Sequence, residues 1–105
     1  MNELTSYDEL RQVTKTESLV LIYVSTAGCS VCHADYPKVQ AIVDALEVPA
    51  YELRADQVQE AVGQLSLFAA PVVLVFFEGR EIHRQARIID FRLLEKKLQQ
   101  VQSAS

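Results

Sequence analysis

The chain has 105 residues, half of them hydrophobic and 23% charged. That is enough apolar chain for one packed core, expected to span 1–105 as a single domain, and too much for global disorder; three glycines and three prolines exclude collagen-like and linker-like classes. A formal net charge of −4 argues against a general nucleic-acid binder, which needs a cationic face, although basic residues gather after position 80.

Ser6-Tyr-Asp-Glu9 fits a capping box, and a short helix from about Tyr7 to Val13 follows. Leu19-Val-Leu-Ile-Tyr-Val24 is a continuous β-favouring run, as expected of a strand buried on both faces. Ser25 to Gly28 breaks it. From Ser30 to about Leu46 the apolar positions Val31, Val39, Ile42, Val43 and Leu46 recur at helical spacing, and Pro37 inside this stretch predicts a kink. Tyr51 to Ala55 alternates like a strand, and Gln57 to Leu65 reads as a short helix. Val72 to Phe77 is a second buried strand. Glu78-Gly79 predicts a tight turn, and Arg80 to about Arg87 an antiparallel return. Asp90 suits the N-cap of a last helix carrying Phe91, Leu94, Leu98 and Val101. The order helix, strand, helix, strand, helix, strand, strand, helix predicts an α/β architecture with a mixed central sheet.

The longest apolar run, Leu67 to Phe77, is interrupted by Pro71 and is about half a membrane span, so no membrane association is expected. The opening Met-Asn-Glu-Leu has no basic segment ahead of an apolar one, so no signal peptide is expected and a cytoplasmic location follows by default. In that setting two cysteines point to redox chemistry or metal binding before a structural staple.

Cys29-Ser-Val-Cys32 joins the end of a buried strand to the start of a helix. Free N–H groups and the helix dipole stabilise a thiolate at Cys29, and the thiolate is the nucleophile of disulfide exchange. Cys32, one helical turn on, is in reach to attack a mixed disulfide. Such a pair forms and resolves its covalent intermediate without a cofactor. No Gly-rich phosphate loop or hydrolase elbow is present.

The spacing resembles the thioredoxin family over nearly the whole chain. The features are the CxxC after an apolar strand, Pro37 eight residues after Cys29, Ala70-Pro71 before a buried strand, Gly79 eight residues after Pro71, and Asp56-Gln57 after the middle strand. The resemblance implies a thioredoxin fold, a central mixed sheet flanked by helices on both faces. It implies thiol–disulfide oxidoreductase activity on protein disulfide substrates, with roles in electron transport and cell redox homeostasis and recycling by a thioredoxin-reductase-like enzyme. Cys29 then corresponds to the attacking thiol and Cys32 to the resolving thiol. Pro71 corresponds to a cis-proline, and Ala70 to a residue offering its backbone to an extended peptide.

Several positions depart from the family's pattern. Gly28 stands where the family has Trp, removing a flat contact surface, and Val31 replaces the Pro between the cysteines. Tyr23 stands where a buried Asp helps move the resolving thiol's proton, and Glu52 where the family has Lys. Two readings stand for this pair: Tyr23 packs and Glu52 reaches solvent, or Glu52, hydrogen-bonded to Tyr23, substitutes as the acid/base. Arg87 occupies the place of a groove glycine, where a long cation either points to solvent at the strand end or narrows the groove and selects acidic substrates. These departures keep open a thioredoxin-like binding module whose CxxC is non-catalytic or redox-sensing. Two other readings of the motif are weaker. Cys29 to His33 spells a c-type haem attachment, which needs export and a second axial ligand. Zinc held by Cys29, Cys32, His33 and His83 lacks the tight spacing of a second pair. No metal site is expected.

Overall fold

Strands buried on both faces need apolar side chains pointing both ways, which is why the two densest apolar runs carry no alternation. In the computed structural model, which describes residues 1–104, β2 (Leu19–Ser25) lies at the centre of a five-stranded sheet. It runs parallel to β3 (Ala50–Arg54) on one side and antiparallel to β4 (Val72–Phe77) on the other. Beyond β3 lies a parallel edge strand, β1 (Asn2–Leu4), and beyond β4 an antiparallel one, β5 (Arg80–Ala86). The predicted mixed sheet is therefore present, with one strand more than expected. β1 has only Leu4 buried, so it carries no apolar pattern for a sequence reading to find.

The faces divide β2 residue by residue. Val20, Ile22 and Val24 join Leu10 of α1 (Tyr7–Thr16) and Ala61 of α3 (Gln59–Leu65) in one core. Leu21 and Tyr23 join Val39 and Val43 of α2 (Ser30–Leu46) and Leu94 and Leu98 of α4 (Phe91–Ala104) in the other.

Local signals set most boundaries. The Ser6 hydroxyl accepts the Glu9 N–H at 3.1 Å, but Glu9 returns to the N–H of Thr5 rather than of Ser6, so the reciprocal box is displaced by one residue. Its hydrogen bond from the Thr5 side chain holds the Glu9 carboxyl below its ordinary pKa. α1 runs on to Thr16, three residues past the expected end. Residues 55–57 form a turn, so α3 starts at Gln59 instead of Gln57. α2 stays helical through Pro37, which withholds a hydrogen bond from the His33 carbonyl. Glu78 and Gly79 both have positive φ, 52° and 79°, as a two-residue hairpin turn requires. Asp90 caps α4 through its Oδ1, which accepts the Leu93 N–H at 3.0 Å.

Candidate active site

β2 delivers the chain to the dithiol. Past Ser25 the backbone turns through Gly28, whose φ of 74° is left-handed. A Cβ added there would meet nothing within 4 Å, so the backbone conformation, not lack of space, favours glycine. Cys29 is the N-cap of α2, and its Sγ accepts the Cys32 N–H at 3.1 Å. A disulfide joins the two residues, with Cα atoms 5.2 Å apart. Cys29 is half-buried and Cys32 only 3% exposed. The sulfur that meets solvent is thus the one at the positive end of a 17-residue helix, and the shielded sulfur lies one turn deeper.

Tyr23, fully buried, projects under the first turn of α2. Its hydroxyl donates to the Cys32 carbonyl at 2.6 Å, and its ring meets Tyr36 edge-on with centroids 5.8 Å apart. The Tyr23–Glu52 hydrogen bond of the acid/base reading is replaced by two others. The parallel register sets the two residues side by side, but a phenol is longer than the spacing between strands and reaches into the helical layer instead. Glu52 accepts from the Ser25 hydroxyl at 2.8 Å.

Burial raises the Tyr23 phenol well above its ordinary pKa, and the negative charges of Asp35 and Glu52 add to the rise. A raised folded-state pKa favours folding below the unfolded value and loses that contribution as pH climbs past it. Stability should therefore fall as pH rises beyond the ordinary value of 10.0, where the unfolded chain gains by ionising. Tyr23→Phe should flatten this alkaline limb and cost about 1 kcal/mol near neutrality, because it strips the hydroxyl from a buried carbonyl. Urea titrations of both proteins across that range check it; parallel alkaline limbs would contradict the assignment.

The antiparallel pairing of Val24 with Val72 carries Pro71 and Ala70 to the dithiol end of the sheet. The Ala70–Pro71 bond is cis. Arg87 donates its backbone N–H to the Pro71 carbonyl at 2.8 Å and holds a φ of 69°, so glycine would be the unstrained residue at this position. Its side chain is exposed, as is Ile88 at 89%. Among the described residues, the N–H and carbonyl of Ala70 enter no backbone hydrogen bond.

Two cavities flank this arrangement and meet at Thr26. One, of about 430 Å³, is lined by both cysteines together with Gly28, Tyr36, Glu52 and Arg54. The other, of about 690 Å³, is bounded by Ala70, Phe68, Val62 and Asp56. Asp56 ties the walls together by accepting the Ala27 N–H at 3.2 Å and pairing with Arg54 at 3.1 Å. The structure therefore gathers Cys29, Cys32, Gly28 and Glu52 around one cavity, sets Tyr23 beneath it, and places Ala70 and Pro71 on the adjoining strand end. His33 is exposed beside Cys32. His83 lies on β5 opposite Val75, beside Gln85, and does not line this cavity; among the described residues no three candidate metal ligands cluster.

Sequence reasoning missed Ser25, Tyr36 and Phe68. Ser25 ends an apolar run and reads as a breaker. Tyr36 falls within the predicted helix but outside its recurring apolar positions. Phe68 sits inside the longest apolar run yet is 78% exposed, which no local pattern announces.

No family model matches the chain. Thioredoxin-like protein YdfQ of Bacillus subtilis strain 168 is 36% identical over 102 residues, covering 96% of this chain and 91% of that protein. Among solved structures, a thioredoxin mutant from Halobacterium salinarum superposes with a TM-score of 0.86 at 17% identity, covering 94% of this chain and 88% of its own. Fasciola hepatica thioredoxin gives 0.84 at 22%, covering 95% and 98%. Oxidised mitochondrial thioredoxin 3 of Saccharomyces cerevisiae gives 0.84 at 20%, covering 95% and 94%. At these identities the structural neighbours establish the fold.

Proposed function

Since the chain belongs to the thioredoxin family, we propose that it is a thiol–disulfide oxidoreductase acting on protein disulfides through Cys29 and Cys32. The observation that carries this reading is the position of Cys29, half-buried at the N-cap of α2 with its Sγ on the Cys32 N–H. That N–H and the helix dipole favour the thiolate that exchange requires.

In the reductive direction the Cys29 thiolate attacks a sulfur of the substrate disulfide. The substrate's leaving sulfur departs and takes up a proton. Cys32 gives up its own proton and attacks Cys29, expelling the second substrate sulfur and closing the disulfide. Glu52 shares the cavity with both sulfurs and serves as the group that takes the Cys32 proton. Tyr23 acts as a positioning residue through the Cys32 carbonyl. Ala70, with backbone groups unengaged within the fold, pairs with an extended substrate segment beside Pro71, and Gly28 leaves the approach to Cys29 open. A thioredoxin-reductase-like enzyme in the cytoplasm regenerates the dithiol.

The test is a redox titration of the pair against a thiol buffer, read by mass after alkylation. A two-electron midpoint near about −270 mV is expected for a reductant of thioredoxin type; about −120 mV would mark an oxidant instead. Failure to form the intramolecular disulfide at any poise would refute exchange and leave the binding module.

A further inference from the structure

Exchange between two protein surfaces needs an exposed sulfur and a place for a backbone to lie. It does not need a hollow beside the sulfur. Here a cavity of about 430 Å³ opens on Cys29, within the range of small-molecule sites. It is walled near the dithiol by small residues, Ser25, Ala27 and Gly28.

The cavity also carries a carboxylate with spare capacity. Glu52 is half-buried on its wall, and one oxygen accepts the Ser25 hydroxyl at 2.8 Å. The other has no hydrogen-bond partner among the described residues. Arg54 lines the same cavity and its charge acts on Glu52, but it makes no direct ion pair with it. Its guanidinium turns to Asp56, with Nε and Nη2 donating at 3.2 and 3.1 Å to the two carboxylate oxygens. The parallel register adds a second carboxylate, Glu3, beside Glu52 on β1. The Met1 ammonium is held by Tyr36 and by Gln40 and makes no bond to Glu52. A sulfur open to solvent and a carboxylate with one oxygen unbonded, and no direct ion pair among the described residues, thus share a space of small-molecule size.

We propose that this cavity receives a low-molecular-weight disulfide bearing a primary ammonium group, an aminothiol disulfide, with the ammonium on Glu52 and a sulfur at Cys29. The inference rests on the exchange reading and adds a substrate class to it. The Cys29 thiolate attacks one sulfur, the small S–S bond breaks, and one aminothiol leaves with the proton that Cys29 had lost. Cys32, its proton passing by way of Glu52 to the second aminothiol as that thiol leaves, attacks Cys29 and releases it. The protein dithiol is oxidised by two electrons and one small disulfide becomes two thiols.

The experiment follows oxidation of the reduced protein, by quenched alkylation, with three probes: cationic cystamine, neutral hydroxyethyl disulfide and anionic dithiodipropionate. Each rate is divided by that of dithiothreitol with the same probe, which removes leaving-group reactivity. After this division cystamine should exceed hydroxyethyl disulfide by about tenfold, the size of one charge-assisted hydrogen bond, and dithiodipropionate should be slowest. Glu52→Gln should collapse the cystamine preference towards unity, and Glu52→Asp should restore part of it. Equal normalised rates in the wild-type protein would overturn the proposal without recourse to any variant. So would a Glu52→Gln protein that slows all probes by one factor and keeps their order, since Glu52 would then act on the thiols alone. Insulin reduction measured in parallel separates the two levels. Insulin turnover without charge selectivity overturns only the small-disulfide site, whereas loss of insulin turnover and of every probe reaction overturns exchange as well.

Discussion

Cys32→Ser should stop exchange halfway. Cys29 keeps its place at the N-cap, so it still attacks a substrate disulfide, but no second thiol lies one turn away to release the product. The substrate should remain joined to Cys29 and run as a covalent adduct on a non-reducing gel, dispersed by dithiothreitol. Cys29→Ser should form no adduct. Turnover of a protein disulfide should fall on the order of a thousandfold or more in both variants, because each step of the cycle depends on one sulfur. The two outcomes differ because the sulfurs differ in burial. Cys29 is open to a macromolecule and Cys32, 3% exposed, is not. An adduct on Cys32 in the Cys29→Ser protein would reverse the assignment. A Cys29→Ser protein with full turnover would dismiss both cysteines and favour the binding module.

The largest effect on stability should come from Ile22→Ala. Ile22 is fully buried at the middle of the central strand, between β3 and β4 and under the helices of one face. Removing three buried carbons there leaves a cavity that both neighbouring strands resist closing, at a cost of about 3 kcal/mol or more. Against a total of about 5–15 kcal/mol for a domain of this size, that is a large share. It should lower Tm by more than about 12 °C, as measured by calorimetry. Ile22 faces away from the core that holds Tyr23 and α2, so the redox midpoint of the remaining folded protein should stay where it was. A midpoint that moves with Ile22 would show that the two faces of the sheet are mechanically coupled.

The dithiol was legible because its information is local. A breaker after an apolar strand, two cysteines three residues apart and a helical pattern beyond them sit in one short stretch, and the N-cap geometry follows from chain order alone. Glu52 and Tyr23 were legible as candidates but not as partners. Which acceptor a phenol reaches depends on how far α2 stands above the sheet, and that distance is a property of packed side chains. The displaced capping box makes the same point at smaller scale, since Glu9 chose between two adjacent N–H groups according to the path of the chain entering α1.

By itself the sequence determined the strands buried on both faces, the helices that cover them, the tight turn at Glu78-Gly79 and the cysteine pair at a helix start. These follow from side-chain period, from capping and turn chemistry, and from residues close together in the chain. Only the tertiary structure decided that β1 joins the sheet, that Phe68 and Ile88 face solvent, that Arg54 turns to Asp56, and that Glu52 shares a cavity with two sulfurs. Those outcomes rest on contacts between residues far apart in the chain. Side chains settle them by competing for space and for hydrogen-bond partners once the strands have paired.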